Sequence, residues 1–413
     1  MGRLSGDRDR LVETFILPSG MKAVCCRADT RAEYFGVAVN TGSRDEAPGE
    51  YGLAHFVEHT IFKGTTHRRS GHIINRMEGV GGELNAFTSK EETYVYAVAP
   101  AGNLARGVDL IADLCMNSVF PAAELEKERA VVGDEIDACL DTPAESVFDD
   151  FEDLFFNGSQ LGHNILGSAT TLQTFGTDCC RRWVEKCYTA CRMTVFYLGP
   201  EPPEKVVRLV ERYFRGIGEG TLPARFEPAA VEPFRVRRQA PSHQANTVVG
   251  ARIGGMLSSD RYAMGLLINI LGGPGMNSRL NVSLRERRGL VYSVEASASR
   301  FTDCGLFTVY YGCDPEDNDR CLELVYAELS RIASHPLSPR ALENAKRQYL
   351  GQLVVASDNM EQSAMSMARS MMYRSLVPSP QEVAAAINSL TTDDILRAAH
   401  MVIPDRCSSL TLG

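Results

Sequence analysis

Apolar and polar residues alternate on both sides of Pro18, Ser19 and Gly20, with Phe15, Ile16 and Leu17 before them and Met21 to Cys26 after them, which predicts a hairpin. A third alternating run, 34–40, passes through Thr41, Gly42 and Ser43 into a polar loop and then into 52–63, where the apolar residues switch to helical spacing. A further helix is expected near 70–77, strands over 84–88 and 93–98, and long helices over 103–118 and 122–140. Between 216 and 233 the periodicity fades into Gly, Pro, Ala and Glu, the composition of a linker. Beyond it the first plan recurs: a strand at 247–253, a helix from Arg261, strands at 291–297 and 306–311, and a long helix from Cys321. The order of elements predicts two similar domains, 1–215 and 234–413, joined by 216–233.

A chain of 413 residues is long enough for two domains. With 44% apolar and 23% charged residues it matches an ordinary globular protein, which excludes extended disorder, collagen-like repeats and coiled coil. Its longest apolar run, 262–271, is too short to cross a bilayer. The first ten residues carry charge but no apolar stretch of an export signal, and Gly6 makes Gly2 a poor acylation site. Twelve cysteines without an export signal point to reduced thiols and a cytoplasmic location. A net charge of −9 argues against nucleic-acid binding and toward basic partners.

Only eight histidines occur, and two of them stand with a glutamate as H-x-x-E-H: His55, Glu58 and His59. On a helix the three fall within about 100° of one face, so two imidazoles and a carboxylate converge. A lone helical histidine is more often a packed or capping residue, but two with a glutamate reverse that balance. Catalytic zinc takes three protein ligands and leaves one position open, and two histidines with a carboxylate form the commonest hydrolytic set. Glu58 is then suited to another task, taking the proton of an attacking water as a general base.

The motif resembles the zinc site of the pitrilysin family, which includes insulin-degrading enzyme and the mitochondrial processing peptidase. The chain is similar to the short, two-domain members, of which the processing peptidase subunits are examples. The resemblance implies one Zn2+ per chain and a third ligand from a glutamate on a later helix. The segment 124–136 is similar to the family's second acidic segment, so the implied ligand is Glu135, with Glu128 two helical turns earlier orienting a ligand. The run 84–89 resembles the family's substrate-docking strand, which implies that Asn85, Ala86 and Phe87 meet an extended peptide added to a sheet edge. Further on, 277–294 resembles a second family signature, in which Arg285 and Tyr292 stabilise the substrate oxyanion. Gly272, Gly273, Pro274 and Gly275 are similar, in shortened form, to a glycine-rich loop of the processing peptidase's non-catalytic subunit. They lack the G-K-[ST] ending of a phosphate loop.

The expected architecture is thus α+β, with two similar domains, each a mostly antiparallel sheet packed by helices, forming the halves of a clam-shell chamber. The expected activity is zinc-dependent endopeptidase action on extended or unfolded peptides. Long relatives carry four such units and this chain has two, so a closed chamber implies a second chain, most simply a homodimer. Its acidic wall would favour basic peptides. The alternative is a non-catalytic peptide-binding or scaffold subunit of the same fold, against which the full set of His55, Glu58, His59 and Glu135 stands. Cys179, Cys180, Cys187 and Cys191 lack paired metal spacing and are expected to pack within a helical region. The acidic run 314–319 misses the alternation of a calcium loop and is expected to start a helix.

Overall fold

The alternating runs of the first half pair into a six-stranded sheet: β1 Leu11–Ile16, β2 Lys22–Arg27, β3 Ala32–Val39, β4 Glu83–Thr88, β5 Thr93–Pro100 and β6 Met193–Gly199, in the order β1-β2-β6-β3-β5-β4. The coordinates are a computed structural model describing residues 11–413; the first ten residues, with Gly2 and the charged stretch around it, lie outside the described residues. The hairpin expected about Pro18 to Gly20 is the β1–β2 turn, closed by the Leu17 amide donating to the Met21 carbonyl over 2.8 Å. β2 and β6 run parallel, and every other neighbouring pair in this sheet is antiparallel.

A second sheet holds β7 Arg235–Arg238, β8 Ala245–Gly254, β9 Val291–Arg300, β10 Cys304–Cys313 and β11 Ser408–Leu412, in the order β7-β11-β8-β10-β9. The run β11-β8-β10-β9 repeats the order of β6-β3-β5-β4, and β7 pairs parallel with β11 as β2 does with β6. The recurrence of elements along the sequence is therefore a recurrence of topology. The protein is α+β, with two mixed domains whose sheets are each packed by helices.

Both faces of the first sheet are covered, because successive side chains point to opposite sides of a strand. Phe35, Val37, Val39, Val95 and Ala97 join a core with the helices Leu53–Thr60, Leu104–Asn117 and Ala122–Leu140. Their alternates, Val24, Cys26, Ala38, Tyr94, Tyr96, Phe196 and Leu198, pack against Ala364, Met365, Ala368, Met371 and Met372 of the helix Met360–Arg374. Arg369 binds Glu92 at 2.7 Å and Lys22 donates to the Met372 carbonyl at 2.7 Å. Each buried methionine adds about 1.5–3 kcal/mol of apolar burial to this attachment. In the second sheet one face buries the helices Arg261–Gly272 and Asn318–Ser334, and the other buries Val147, Phe151 and Phe155 of the helix Pro143–Phe155.

The compact units consequently differ from the two contiguous stretches expected at 1–215 and 234–413. Among the described residues one comprises 11–136, Asn164–Ala224 and Ser357–Val377, and the other Asp137–His163, Arg225–Ala356 and Pro378–Gly413. Each half lends one amphipathic helix to the sheet of the other. Residues 217–234 carry neither helix nor strand, in line with the linker composition, and the start of this stretch is tied down where the amides of Ala190 and Cys191 donate to the carbonyls of Gly218 and Glu219. No helix among the described residues is long and apolar enough to cross a membrane. The acidic run does begin a helix, through a short turn Pro315–Asp317 leading into Asn318–Ser334. Cys180 and Cys187 are buried in the helix Thr177–Cys187, while Cys179 in its first turn is half-buried.

Candidate metal centre

The helix Leu53–Thr60 buries Leu53, Ala54, Phe56 and Val57 at 1% exposure or less, which fixes its rotation and turns His55, Glu58 and His59 to one edge. Its start is held by a residue that sequence reasoning passed over. Glu46, itself buried, accepts hydrogen bonds from the Gly52 amide at 3.0 Å and the Ala54 amide at 2.7 Å, placing a negative charge on the helix N-terminus. Gly52 has φ +98° and a Cβ there would lie 2.5 Å from the Leu166 carbonyl oxygen, so only glycine fits this entry. Beyond the helix, Thr65, His67 and Arg68 all bind the Asp113 carboxylate, at 2.7, 2.7 and 2.5 Å, anchoring the exit loop to the helix Leu104–Asn117.

Facing this edge is the helix Ala122–Leu140, whose bounds coincide with the sequence expectation. Leu125, Val132 and Ile136 bury its inner stripe, and Glu128 and Glu135 lie along it. Glu135 Oε2 stands 3.7 Å from His55 Nε2 and 3.5 Å from His59 Nε2. One ligand atom from each of His55, His59 and Glu135 lies within 4.8 Å of the other two. Ligand atoms about 2.1 Å from a tetrahedral zinc are about 3.4 Å apart, and the two separations from Glu135 to the imidazoles are close to that value. Burial, with His59 nearby, lowers the pKa of His55 to about 4, which keeps its imidazole neutral as a ligand must be.

The outer nitrogens of the two histidines differ. His59 Nδ1 has Glu128 Oε2 at 3.5 Å, and the other Glu128 oxygen is held by Lys63 Nζ at 2.6 Å. His55 Nδ1 is buried with no hydrogen-bond partner among the described residues. Glu58 does not join the three-residue cluster. Burial raises its pKa and Glu135 adds to the rise, while Thr88, the last residue of β4, and His59 favour its charged form. A carboxyl so balanced can both accept and release a proton. Thr88 carried no sequence signal of its own.

Among the described residues β4 is an edge strand, paired only with β5. Its side chains alternate: Leu84 and Ala86 pack on the core that holds the His55 helix, whereas Asn85 and Phe87 face the other way. Asn85 is exposed opposite Tyr96, whose hydroxyl donates to Glu361 at 2.8 Å. Phe87 stacks on Tyr94 with ring centroids 4.6 Å apart and is 37% exposed. Arg285 and Tyr292 belong to the other unit. Arg285 is exposed on a π-helical turn, Asn281–Glu286, and Tyr292 is exposed near the start of β9, the edge strand of the second sheet.

Residues 24–169 match the family described as insulinase, peptidase family M16, and residues 178–349 match the peptidase M16 inactive domain. The chain is similar to an uncharacterized zinc protease of Streptomyces coelicolor, 33% identical over 408 residues that cover 96% of this chain and 88% of the relative. An uncharacterized zinc protease of Mycobacterium tuberculosis is 30% identical over 403 residues, covering 96% and 92%. Among solved structures, the peptidase M16 inactive domain from Pseudomonas fluorescens superposes with a TM-score of 0.91 at 18% identity over 98% of both chains. A protease from Helicobacter pylori does so with a TM-score of 0.90 at 19% identity, over 98% of this chain and 100% of its own. At such identities the likeness is one of fold.

Proposed function

Because this chain belongs to the insulinase family of zinc proteases, peptidase family M16, we propose that it is a zinc-dependent endopeptidase acting on extended or unfolded peptides. The observation that carries the reading is the convergence of His55, His59 and Glu135, with Glu58 on the same helix edge. His55, His59 and Glu135 would hold one Zn2+ per chain. When bound, that ion supplies a Lewis acid that activates water and polarises a substrate carbonyl. Glu58 takes the proton of the attacking water and delivers it to the leaving amine, for which its raised pKa suits it.

The free edge of β4 accepts the peptide as an added strand, so backbone hydrogen bonds fix the scissile bond. Asn85 contacts it through its side chain, Ala86 through its backbone, and Phe87 through its exposed ring. Arg285 and Tyr292 supply a cation and a phenol for the charge that develops on the carbonyl oxygen. A homodimer of the short, processing-peptidase-subunit type, working in the cytoplasm and favouring basic peptides because of the net charge of −9, completes the reading. Sedimentation of an active species as a strict monomer would remove the dimer, and equal cleavage of acidic and basic peptides at low salt would remove the charge preference.

The test compares the wild type with Glu58→Gln on a mixture of short unstructured peptides, with cut sites read by mass spectrometry and zinc content measured for both. Zinc in both and cleavage by the wild type alone supports the endopeptidase. Near wild-type cleavage by Glu58→Gln overturns the assignment of the base. Zinc in both with cleavage by neither favours a peptide-binding scaffold of the same fold.

A further inference from the structure

Glu128 is the only residue seen to touch both an imidazole of the cluster and a fixed cation among the described residues. Its Oε2 lies 3.5 Å from His59 Nδ1 and its Oε1 lies 2.6 Å from Lys63 Nζ, while the far nitrogen of the same ring, Nε2, faces Glu135 at 3.5 Å. We infer that Lys63 is a positioning residue for the metal site, acting through Glu128 on the ring of His59. The inference rests on the zinc reading above and extends it to a residue outside the ligand set.

Three features separate this contact from an ordinary surface ion pair. First, both partners are shielded: the side chains of Lys63 and Glu128 are 24% and 12% exposed, against 67% and 32% for Lys127 and Glu124 on the same face-to-solvent helix. Water therefore screens the Lys63–Glu128 pair less, and the charge of Glu128 stays directed. Second, the backbone of Lys63 is fixed. It ends the short turn Ile61–Lys63, in which Ile61 is buried and its carbonyl accepts from Ser118 Oγ at 3.1 Å, and the next carbonyl, that of Gly64, accepts from the Val119 amide at 3.1 Å. Third, Lys63 meets Oε1 while His59 faces Oε2, so the two contacts fall on different oxygens of one carboxylate.

The consequence is a division of labour between the two carboxylate oxygens. Lys63 occupies one, which leaves the other facing the imidazole at 3.5 Å as the outer support of His59. Without the ammonium, Glu128 is free to turn toward solvent and the ring loses its outer support. Partners of this kind commonly contribute about 10- to 100-fold in metal affinity, and a residue one contact further out is expected near the lower end.

The experiment measures the zinc dissociation constant of the metal-free full chain by competition with a chromophoric chelator, for the wild type, Lys63→Met, Lys63→Gln, Lys63→Arg, Glu128→Gln and the pair Lys63→Met with Glu128→Gln. Urea midpoints of the same metal-free proteins are recorded alongside. The expected result is zinc binding about tenfold weaker in Lys63→Met and Lys63→Gln and close to wild type in Lys63→Arg. In the Glu128→Gln background, Lys63→Met should add no further loss, because its route to His59 is already gone. A merely structural lysine would lower the urea midpoint and would act equally in both backgrounds, and that pattern overturns the inference. Wild-type affinity in both neutral variants overturns it too while leaving the zinc reading intact. A wild type that takes up no zinc overturns both.

Discussion

The Tyr292 phenol donates a hydrogen bond to Asp314 Oδ1 over 2.8 Å, joining the edge strand β9 to the loop that follows β10. Asp314 thereby pushes the phenol pKa above its ordinary value and keeps it protonated. To serve as an oxyanion donor the phenol turns its single proton from Asp314 to the carbonyl oxygen, and removal of one such donor typically costs about 100- to 1000-fold in kcat. Tyr292→Phe is expected to lower kcat by about 100-fold without changing zinc content. Asp314→Ala, which frees the ring but keeps the phenol, should lose less. Steady-state kinetics on one peptide, with metal analysis of each variant, checks both; an unchanged kcat in Tyr292→Phe removes the residue from the mechanism.

Glu46 gives a stability prediction. Its two oxygens satisfy the Gly52 and Ala54 amides in a buried place, and hydrogen bonds to a charged group contribute about 1.5–3 kcal/mol each. Glu46→Ala should therefore lower unfolding free energy by about 3 kcal/mol, and Glu46→Gln, which keeps an acceptor, by less than half as much. Urea denaturation followed by circular dichroism measures the difference. Zinc uptake by Glu46→Ala at low temperature should also weaken, since the helix carrying His55 and His59 loses its anchored start.

The Asp113 network makes stability depend on pH in a definite window. Burial pushes this carboxyl up, but Thr65, His67, Arg68 and Asn117 outweigh burial, and its pKa lies below the ordinary aspartate value. A depressed folded-state pKa stabilises the protein above the unfolded value, near 3.9, and that contribution disappears as pH falls through the folded one. The gap in stability between the wild type and Asp113→Asn should close as pH falls below about 3.9. A gap that widens below about pH 3.9 contradicts the sign. Urea titrations of both proteins across that range provide the measurement.

Cysteine labelling tests a different part of the first unit. Cys179 lies in the first turn of the helix Thr177–Cys187, where the Gly176 amide donates to its sulfur over 3.0 Å. The Cys180 thiol, more than burial can oppose, lowers its pKa to about 6, with Gly176 and Arg182 adding to the effect. Reactivity follows the thiolate, so iodoacetamide at pH 7 should modify Cys179 before the other half-buried cysteines, Cys139 and Cys191. Time-resolved peptide mapping reads the order.

Local signals were the legible ones. The hairpin about Pro18 to Gly20, the His55 helix and the helix Ala122–Leu140 follow from spacing within a single element, and the three chemistry-bearing positions of H-x-x-E-H are neighbours on one turn. Glu135 needed the resemblance, because nothing in a solvated run of acids marks which one turns inward. Lys63 and Thr88 gave no signal, since each acts on an element that the chain reaches only by folding back, and Glu46 gave none because nothing in a polar loop marks which acid holds the start of the next helix. The exchange of helices was also hidden. The stripe Ala364, Met365, Ala368, Met371 and Met372 announces an amphipathic helix, but periodicity cannot say which sheet it covers.

The position of the helix Met360–Arg374 on the first sheet has a consequence for biosynthesis. The first sheet leaves the ribosome first, yet one face of it, with Val24, Ala38, Tyr94, Phe196 and Leu198, has no cover from this helix until about 160 more residues have been translated. At about 5–20 residues per second that interval lasts roughly 10 to 30 s. During it the nascent chain presents an apolar sheet surface of the kind that chaperones hold. The unit built on the first sheet thus reaches its finished form only near the end of translation, once residues 357–377 have been made.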